Sequence, residues 1–176
     1  MSKGLRVFFM VSVGFIPMVL HWSISSSLGL ILGSFVLVAL LIKESFKKNI
    51  SLMTKTLTLY FLIANVLYFI FDINQVIINR HLYTYISLGT MSLYSLIIRK
   101  PFTMDGAKSG YKKGFESSPL FIEVNMLIST IWCATYIISS ILRFIGDNLL
   151  FVVIPNILIS VAIACSIIIP NLMPDT

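Results

Sequence analysis

The chain has 176 residues, 57% of them hydrophobic and only 11% charged, with a mean hydropathy of +0.96 and a formal charge of +6. So little polar surface cannot cover a water-soluble globule of this length, and six apolar crossings of roughly 20 residues each leave no room for a separate soluble domain. A nucleic-acid reading of the charge is excluded too: the basic residues flank apolar runs instead of forming a folded basic face, and anionic lipid headgroups are the matching partner.

The pattern predicts an all-α, polytopic transmembrane bundle of about six helices arranged as three hairpins, a single membrane domain over residues 1–176. The first span is expected over 5–22. It follows Lys3 and Arg6, which is also how a signal peptide begins, and Ser23-Ile24-Ser25 has the small residues of a cleavage site; a retained first hairpin is the alternative taken. Pro17 is expected to kink this helix. In the second span, 26–42, Gly29 and Gly33 form a GxxxG pattern, which permits close helix contact within the chain or in a homo-oligomer. A basic loop, 43–55, carries Lys43, Lys47, Lys48 and Lys55.

The third span, 56–72, ends on Tyr68, Phe69, Phe71 and Asp72, and the fourth, 82–98, follows Asn79-Arg80-His81. Tyrosines near the span ends match the aromatic belts of the headgroup region. The longest polar segment, 99–119, interleaves Arg99, Lys100, Lys108, Lys112 and Lys113 with Phe102, Tyr111 and Phe115. It is expected to lie partly on the membrane, its cations on lipid phosphates or on membrane partners. Gly106, Gly110 and Gly114 recur there every four residues, read as a flexible loop. The fifth and sixth spans, 120–142 and 149–169, are joined too tightly to be anything but an antiparallel hairpin.

Orientation follows from the cations. Eleven of the thirteen Lys and Arg fall in the N-terminal segment and the two basic loops, leaving Arg80 and Arg143 for the other side. Under the positive-inside rule this places both termini in the cytoplasm, with the chain in an inner membrane.

The intramembrane polar candidates are Asn65, Glu123, Asn125 and Asn156. An ionisable group in hydrocarbon is costly and hence a functional candidate, but Glu123 lies near the start of its helix, where it reaches water and favours the helix dipole. The asparagines are expected to bridge helices. Pro155-Asn156 is read as a packed kink, and is the one place where the sixth helix would otherwise open to coordinate an ion. His21 and His81 fall near the outer ends of their helices, where two facing imidazoles are the minimum for haem or metal, but two histidines alone are thin support and no cofactor or metal is expected. Cys133 and Cys165 have no second ligand at metal spacing and read as packing residues. No nucleophile elbow, HExxH, P-loop or CxxC is present.

Arg99-Lys100-Pro101-Phe102, followed by Ser118-Pro119-Leu120-Phe121 and then Asn125 and Trp132, resembles the intracellular septation protein A family. The resemblance covers the general topology and, at motif level, about the last 80 residues. It departs at Glu123, where the family has a basic or polar residue, and in the longer interval from Asn125 to Trp132. It implies a bacterial envelope protein of septation and cell-envelope maintenance that acts through other membrane proteins and not by catalysis, with Arg99, Lys100, Pro101, Asn125 and Trp132 as the positions that carry over. Two further readings stand beside it: a small transporter or channel with its path between hairpins, lined by Asn65, Asn125 and Asn156, and a lipid-modifying or redox enzyme using Glu123 or the histidines.

Overall fold

The computed structural model describes residues 5, 12–24, 27–108, 114, 117–146 and 148–171. Among these residues all regular structure is helical. A 3-10 turn, Val13–Phe15, leads into α1 (Ile16–Ser23); α2 is Ser27–Phe46 and α3 is Leu52–Asn65, continued by a π-helical turn, Val66–Ile70. Then come α4 (Gln75–Ile78), α5 (Arg80–Ile97), α6 (Thr103–Ala107), α7 (Pro119–Ile145) and α8 (Leu149–Asn171).

Four stretches are long and apolar enough to cross a membrane: Ser27–Phe46, Leu52–Ile70, Pro119–Ile145 and Leu149–Asn171. The other two expected spans differ for separate reasons. Val13–Ser23 is apolar but short. α5 has the length but carries Arg80, His81 and three tyrosines, and it turns much of its polarity inward, burying Thr84, Ser92 and Ser95.

Local chemistry moves several ends away from the expected ones. Ser51 caps α3, its Oγ accepting from Thr54 N–H at 3.2 Å, so this helix starts at Leu52 and not at 56. α2 runs on to Phe46, which reduces the 43–55 loop to a tight connection with Lys43 and Lys55 inside helices. Ser118 caps α7 in the same way, from Phe121 N–H at 3.2 Å, with Pro119 in the first turn. Such caps contribute about 1 kcal/mol each. The 99–119 segment is not all loop, since it contains α6. Pro17 does not kink a helix: it stands in the first turn of α1, where its missing N–H is no loss. α8 continues as a helix through Pro155, whose ring is buried.

α7 is the hub, packing on α5 along one side and on α8 along another; α1 lies on α2, and α3 bridges α2 and α5. Leu30, Leu57, Leu88 and Phe121 are wholly buried at the seams. The GxxxG pattern serves contacts inside the chain. A Cβ on Gly33 would lie 2.7 Å from the Phe61 ring and 2.8 Å from the Pro17 carbonyl, and one on Gly29 would run into the Ile24 carbonyl. The outward faces stay apolar, with Phe35, Leu59, Leu62, Ile141 and Leu150 well exposed, a surface that suits lipid and not water.

The bundle has two chemically distinct ends. At one, Gly14 approaches Met53, and Leu52 N–H donates to Asp105 Oδ2 at 3.4 Å, joining the α2–α3 connection to α6. At the other, the Arg80 guanidinium donates to the Trp22 carbonyl at 3.4 Å, joining α5 to the end of α1.

Candidate functional site

The first end is basic. Lys43, Lys47, Lys48, Lys55, Arg99 and Lys100 are all exposed there. Two of its described carboxylates are engaged: Glu44 accepts from Ser51 N–H at 2.8 Å, and Asp105 pairs with Lys108 at 3.6 Å, while the third, Glu123, is exposed at the start of α7. The Asp105–Lys108 pair is partly exposed and contributes little to stability. Lys112 and Lys113 lie outside the described residues, as does Gly110.

Two of these cations sit in an unusual backbone state. After α2, Lys48 N–H bonds to the Ser45 carbonyl and Asn49 N–H to that of Glu44; after α5, Arg99 N–H bonds to Leu96 and Lys100 N–H to Ser95. Both are Schellman endings, and their left-handed residues are Lys48 and Arg99, each with φ 53°. Glycine is the usual occupant, because a side chain costs roughly 1 kcal/mol or more there. A cation recovers part of that cost from the helix C-terminal dipole and points its charge off the end of the bundle.

Behind this end lies a buried polar knot. Thr103 Oγ1 donates to Asn125 Oδ1 at 2.9 Å and also lies 3.1 Å from Ser129 Oγ, while Asn125 Nδ2 donates to the Phe121 carbonyl at 2.8 Å. The knot ties α6 to α7 with both partners of the amide engaged. Trp132, one turn or so further along α7, donates from Nε1 to Ser166 Oγ of α8 at 2.9 Å.

At the opposite end, His21 Nε2 meets Tyr60 Oη at 3.1 Å, and Thr84 Oγ1 reaches the same hydroxyl at 3.3 Å. The Trp22 ring packs on His81 and Tyr85, with centroids 5.7 and 5.4 Å away. His21 and His81 are therefore separated in role: one is hydrogen-bonded in the core, the other stacks on an indole. No cluster of three or more metal-ligating side chains occurs among the described residues. Several buried polar atoms at this end have no hydrogen-bond partner among the described residues: Trp22 Nε1, Arg80 Nε, Tyr136 Oη and Ser139 Oγ.

Between the two ends runs a cavity of about 230 Å³. Phe15 of the 3-10 turn with Val19 and Trp22 of α1 form one wall, Asn125, Trp132 and Tyr136 of α7 a second, and Ile159, Ile163 and Ser166 of α8 the third. These positions recur at helical spacing, so each helix contributes one continuous stripe.

The polar positions singled out in the sequence do not converge. Asn125 borders this cavity; Asn65 donates to Ser34 Oγ at 2.8 Å and to the Phe61 carbonyl at 2.7 Å, joining α3 to α2; Asn156 is exposed on α8 and bonds back to the Val152 carbonyl. Glu123 is exposed on the first turns of α7. Of the residues in the septation-like motif, Arg99 and Lys100 are exposed, Pro101 is buried, and Asn125 and Trp132 make the interhelical bonds just described. The orphaned donors and the tryptophan-lined cavity were not legible beforehand. Trp22 and Trp132 are the chain's two tryptophans, but nothing local to either shows that they line one cavity.

No protein-family profile, curated protein or solved structure matches this chain.

Proposed function

We propose that the chain is a bacterial inner-membrane protein of six spans in three hairpins, with both termini cytoplasmic, that serves cell-envelope maintenance or septation by holding anionic lipid and membrane partners at its basic end. The observation that carries this reading is the segregation of charge. Exposed lysines and Arg99 gather at one end, where the Glu44 carboxylate is turned into a hydrogen bond, and two of the cations occupy backbone positions that glycine would fill at lower cost. The alternation of helix direction between the two ends supports three hairpins, α5 crossing with its polar side chains against α7 and α3. The likeness of Arg99 to Trp132 to the septation family supports the envelope assignment. Asn65 and Asn125 are engaged in hydrogen bonds between helices and Asn156 faces outward, which favours a scaffold over a transport path lined by the asparagines.

Neutralising Lys108, Lys112 and Lys113 together by glutamine tests the basic-end assignment. In nanodiscs of mixed phosphatidylcholine and phosphatidylglycerol, the wild-type protein should retain phosphatidylglycerol in a salt-dependent way, and the triple variant should retain less. Equal retention across the salt series would remove this role. Single cysteines at Lys48 and Asn74, in a chain lacking Cys133 and Cys165, should label from opposite faces of the membrane; labelling from the same face would end the six-span arrangement.

A further inference from the structure

The seam between α3 and α5 is closed at its base and open toward the lipid. Tyr60, Ala64, Val76 and Met91 form a buried floor, while Leu59, Ile63, Ile86 and Tyr94 stand well exposed along the sides. Ala64, Ser87 and Thr90 are small, and the groove left between the two helices holds about 610 Å³. Along α5 it runs from Tyr83 to Tyr94, about 16 Å at ~1.5 Å per residue, which is close to half of a ~30 Å hydrocarbon core. Spread over that length, the volume has a cross-section of about 40 Å², well below that of a helix with its side chains, roughly 10–12 Å across.

The polar groups of the lining are already spent. The Thr56 and Thr90 hydroxyls donate to the Leu52 and Ile86 carbonyls at 3.0 and 2.8 Å, and that of Ser87 to the Tyr83 carbonyl at 2.9 Å. The Tyr60 hydroxyl is held by His21 and Thr84. What remains to face the groove is hydrocarbon and ring, so its occupant is apolar along its length.

The two ends differ. Away from the lysines the chain folds back at Asp72, φ 54°, with Ile73 N–H on the Leu67 carbonyl at 2.9 Å, and sets Ile73 and Val76 against that end of the groove. Arg80, on that side, is committed to the Ile77 and Trp22 carbonyls. At the other end Leu52 and Tyr94 line the mouth, and three cations flank it. Lys55 is a surface neighbour of both Leu52 and Leu59 on α3, three and four residues away, and Arg99 and Lys100 follow Tyr94 at the end of α5. All three are exposed, and no ion pair holds any of them among the described residues. Asp105, which accepts from Leu52 N–H there, is paired with Lys108.

We infer that this groove seats one acyl chain of an anionic phospholipid, the chain between α3 and α5 and the phosphate at Lys55, Arg99 and Lys100. The inference rests on the reading of the basic end as a lipid-holding surface and gives that surface its binding site. The groove is too narrow to take a helix of a second copy.

The full chain in phosphatidylcholine nanodiscs is given a trace of phosphatidylglycerol or of phosphatidylcholine, each carrying the same photoactivatable diazirine acyl chain, and the adducts are mapped by peptide mass spectrometry. Phosphatidylglycerol adducts are expected on 52–67 and 83–94 about tenfold more often than phosphatidylcholine adducts, the effect of one or two cations at an anionic headgroup, and the excess should fall as salt is raised. Replacing Lys55, Arg99 and Lys100 together by glutamine should remove the excess and leave the groove labelled by both lipids alike. Ser87→Phe, which fills the groove, should clear it of both. The inference is overturned if phosphatidylglycerol labels the outward faces of the wild-type protein, at Phe35, Ile141 and Leu150, as often as the groove, or if the two lipids label the groove equally. Where either result accompanies salt-dependent retention of phosphatidylglycerol, the groove alone fails and the basic-end reading stands; without that retention both fail. A groove shielded from both lipids in a protein that runs as a dimer assigns it to a second copy and also overturns the inference. Each of these outcomes is read on the wild-type protein and requires no variant to fold.

Discussion

His21 and Tyr60, 39 positions apart, meet through imidazole Nε2 and phenol Oη at 3.1 Å, both side chains buried. Because Thr84 reaches the same hydroxyl from α5, one oxygen ties three helices at the end opposite the lysines. In a bilayer such bonds average about 0.6 kcal/mol and reach about 1.7. Tyr60→Phe should therefore lower stability by about 1 kcal/mol in thermal unfolding of the detergent-solubilised protein. Thr84→Val should cost less, since that hydroxyl also bonds the Arg80 carbonyl at 2.6 Å. The pair should be less than additive, and strict additivity would show that the three side chains do not form one unit.

Asn125 and Asn156 give opposite expectations from the same residue type. Asn125→Leu leaves the Thr103 hydroxyl without its amide partner and should cost about 1–3 kcal/mol, with faster hydrogen exchange over α6. Asn156→Leu changes an exposed side chain that bonds only within its own helix, and should stay within about 0.5 kcal/mol. Similar losses for the two would contradict the difference in burial.

Gly33→Leu forces a side chain into the Phe61 ring and the Pro17 carbonyl, separating α1 and α3 from α2; loss of monodisperse folded protein in size-exclusion chromatography is expected. Gly89→Ala is the control on the α5–α7 seam, where an added Cβ would lie 3.6 Å from Tyr136 Cβ, an ordinary contact. It should be nearly neutral.

Lys48→Gly combined with Arg99→Gly separates stability from function. Removing two left-handed side chains should raise stability by about 0.5–1 kcal/mol after the lost dipole interaction is discounted. The same change should weaken retention of phosphatidylglycerol. A variant that loses stability and keeps its lipid would mean that these cations serve only to end the helices.

Much of the molecule was legible because it depends on neighbours in the chain. Apolar length alone marks the four membrane-capable helices, and the composition of 43–55 and 99–119 marks the basic end. Ser51 and Ser118 set the starts of α3 and α7 through bonds to residues three positions on, a local event, although hydropathy alone put the start of α3 at 56. Even α5, which fails the apolarity test, carries its answer in Thr84, Ser92 and Ser95, whose spacing suits a face turned into a bundle.

What no stretch of sequence could decide is which polar groups meet. Asn65, Asn125 and Asn156 look alike in apolar runs, and only the rotation of each helix about its axis buries Asn125 against Thr103 and leaves Asn156 facing outward. Gly29 and Gly33 were open to a partner inside the chain or outside it, until the packing of Ile24 against the one and of Pro17 and Phe61 against the other filled their groove. Trp22 and Trp132 line one cavity because α1 and α7 come together there, a long-range register that has no local signal. The sequence by itself determined a basic-ended bundle of membrane helices, since hydropathy and capping act over a few residues. The tertiary structure alone decided which stripes of α1, α7 and α8 wall one cavity, since that takes three helices meeting at one depth.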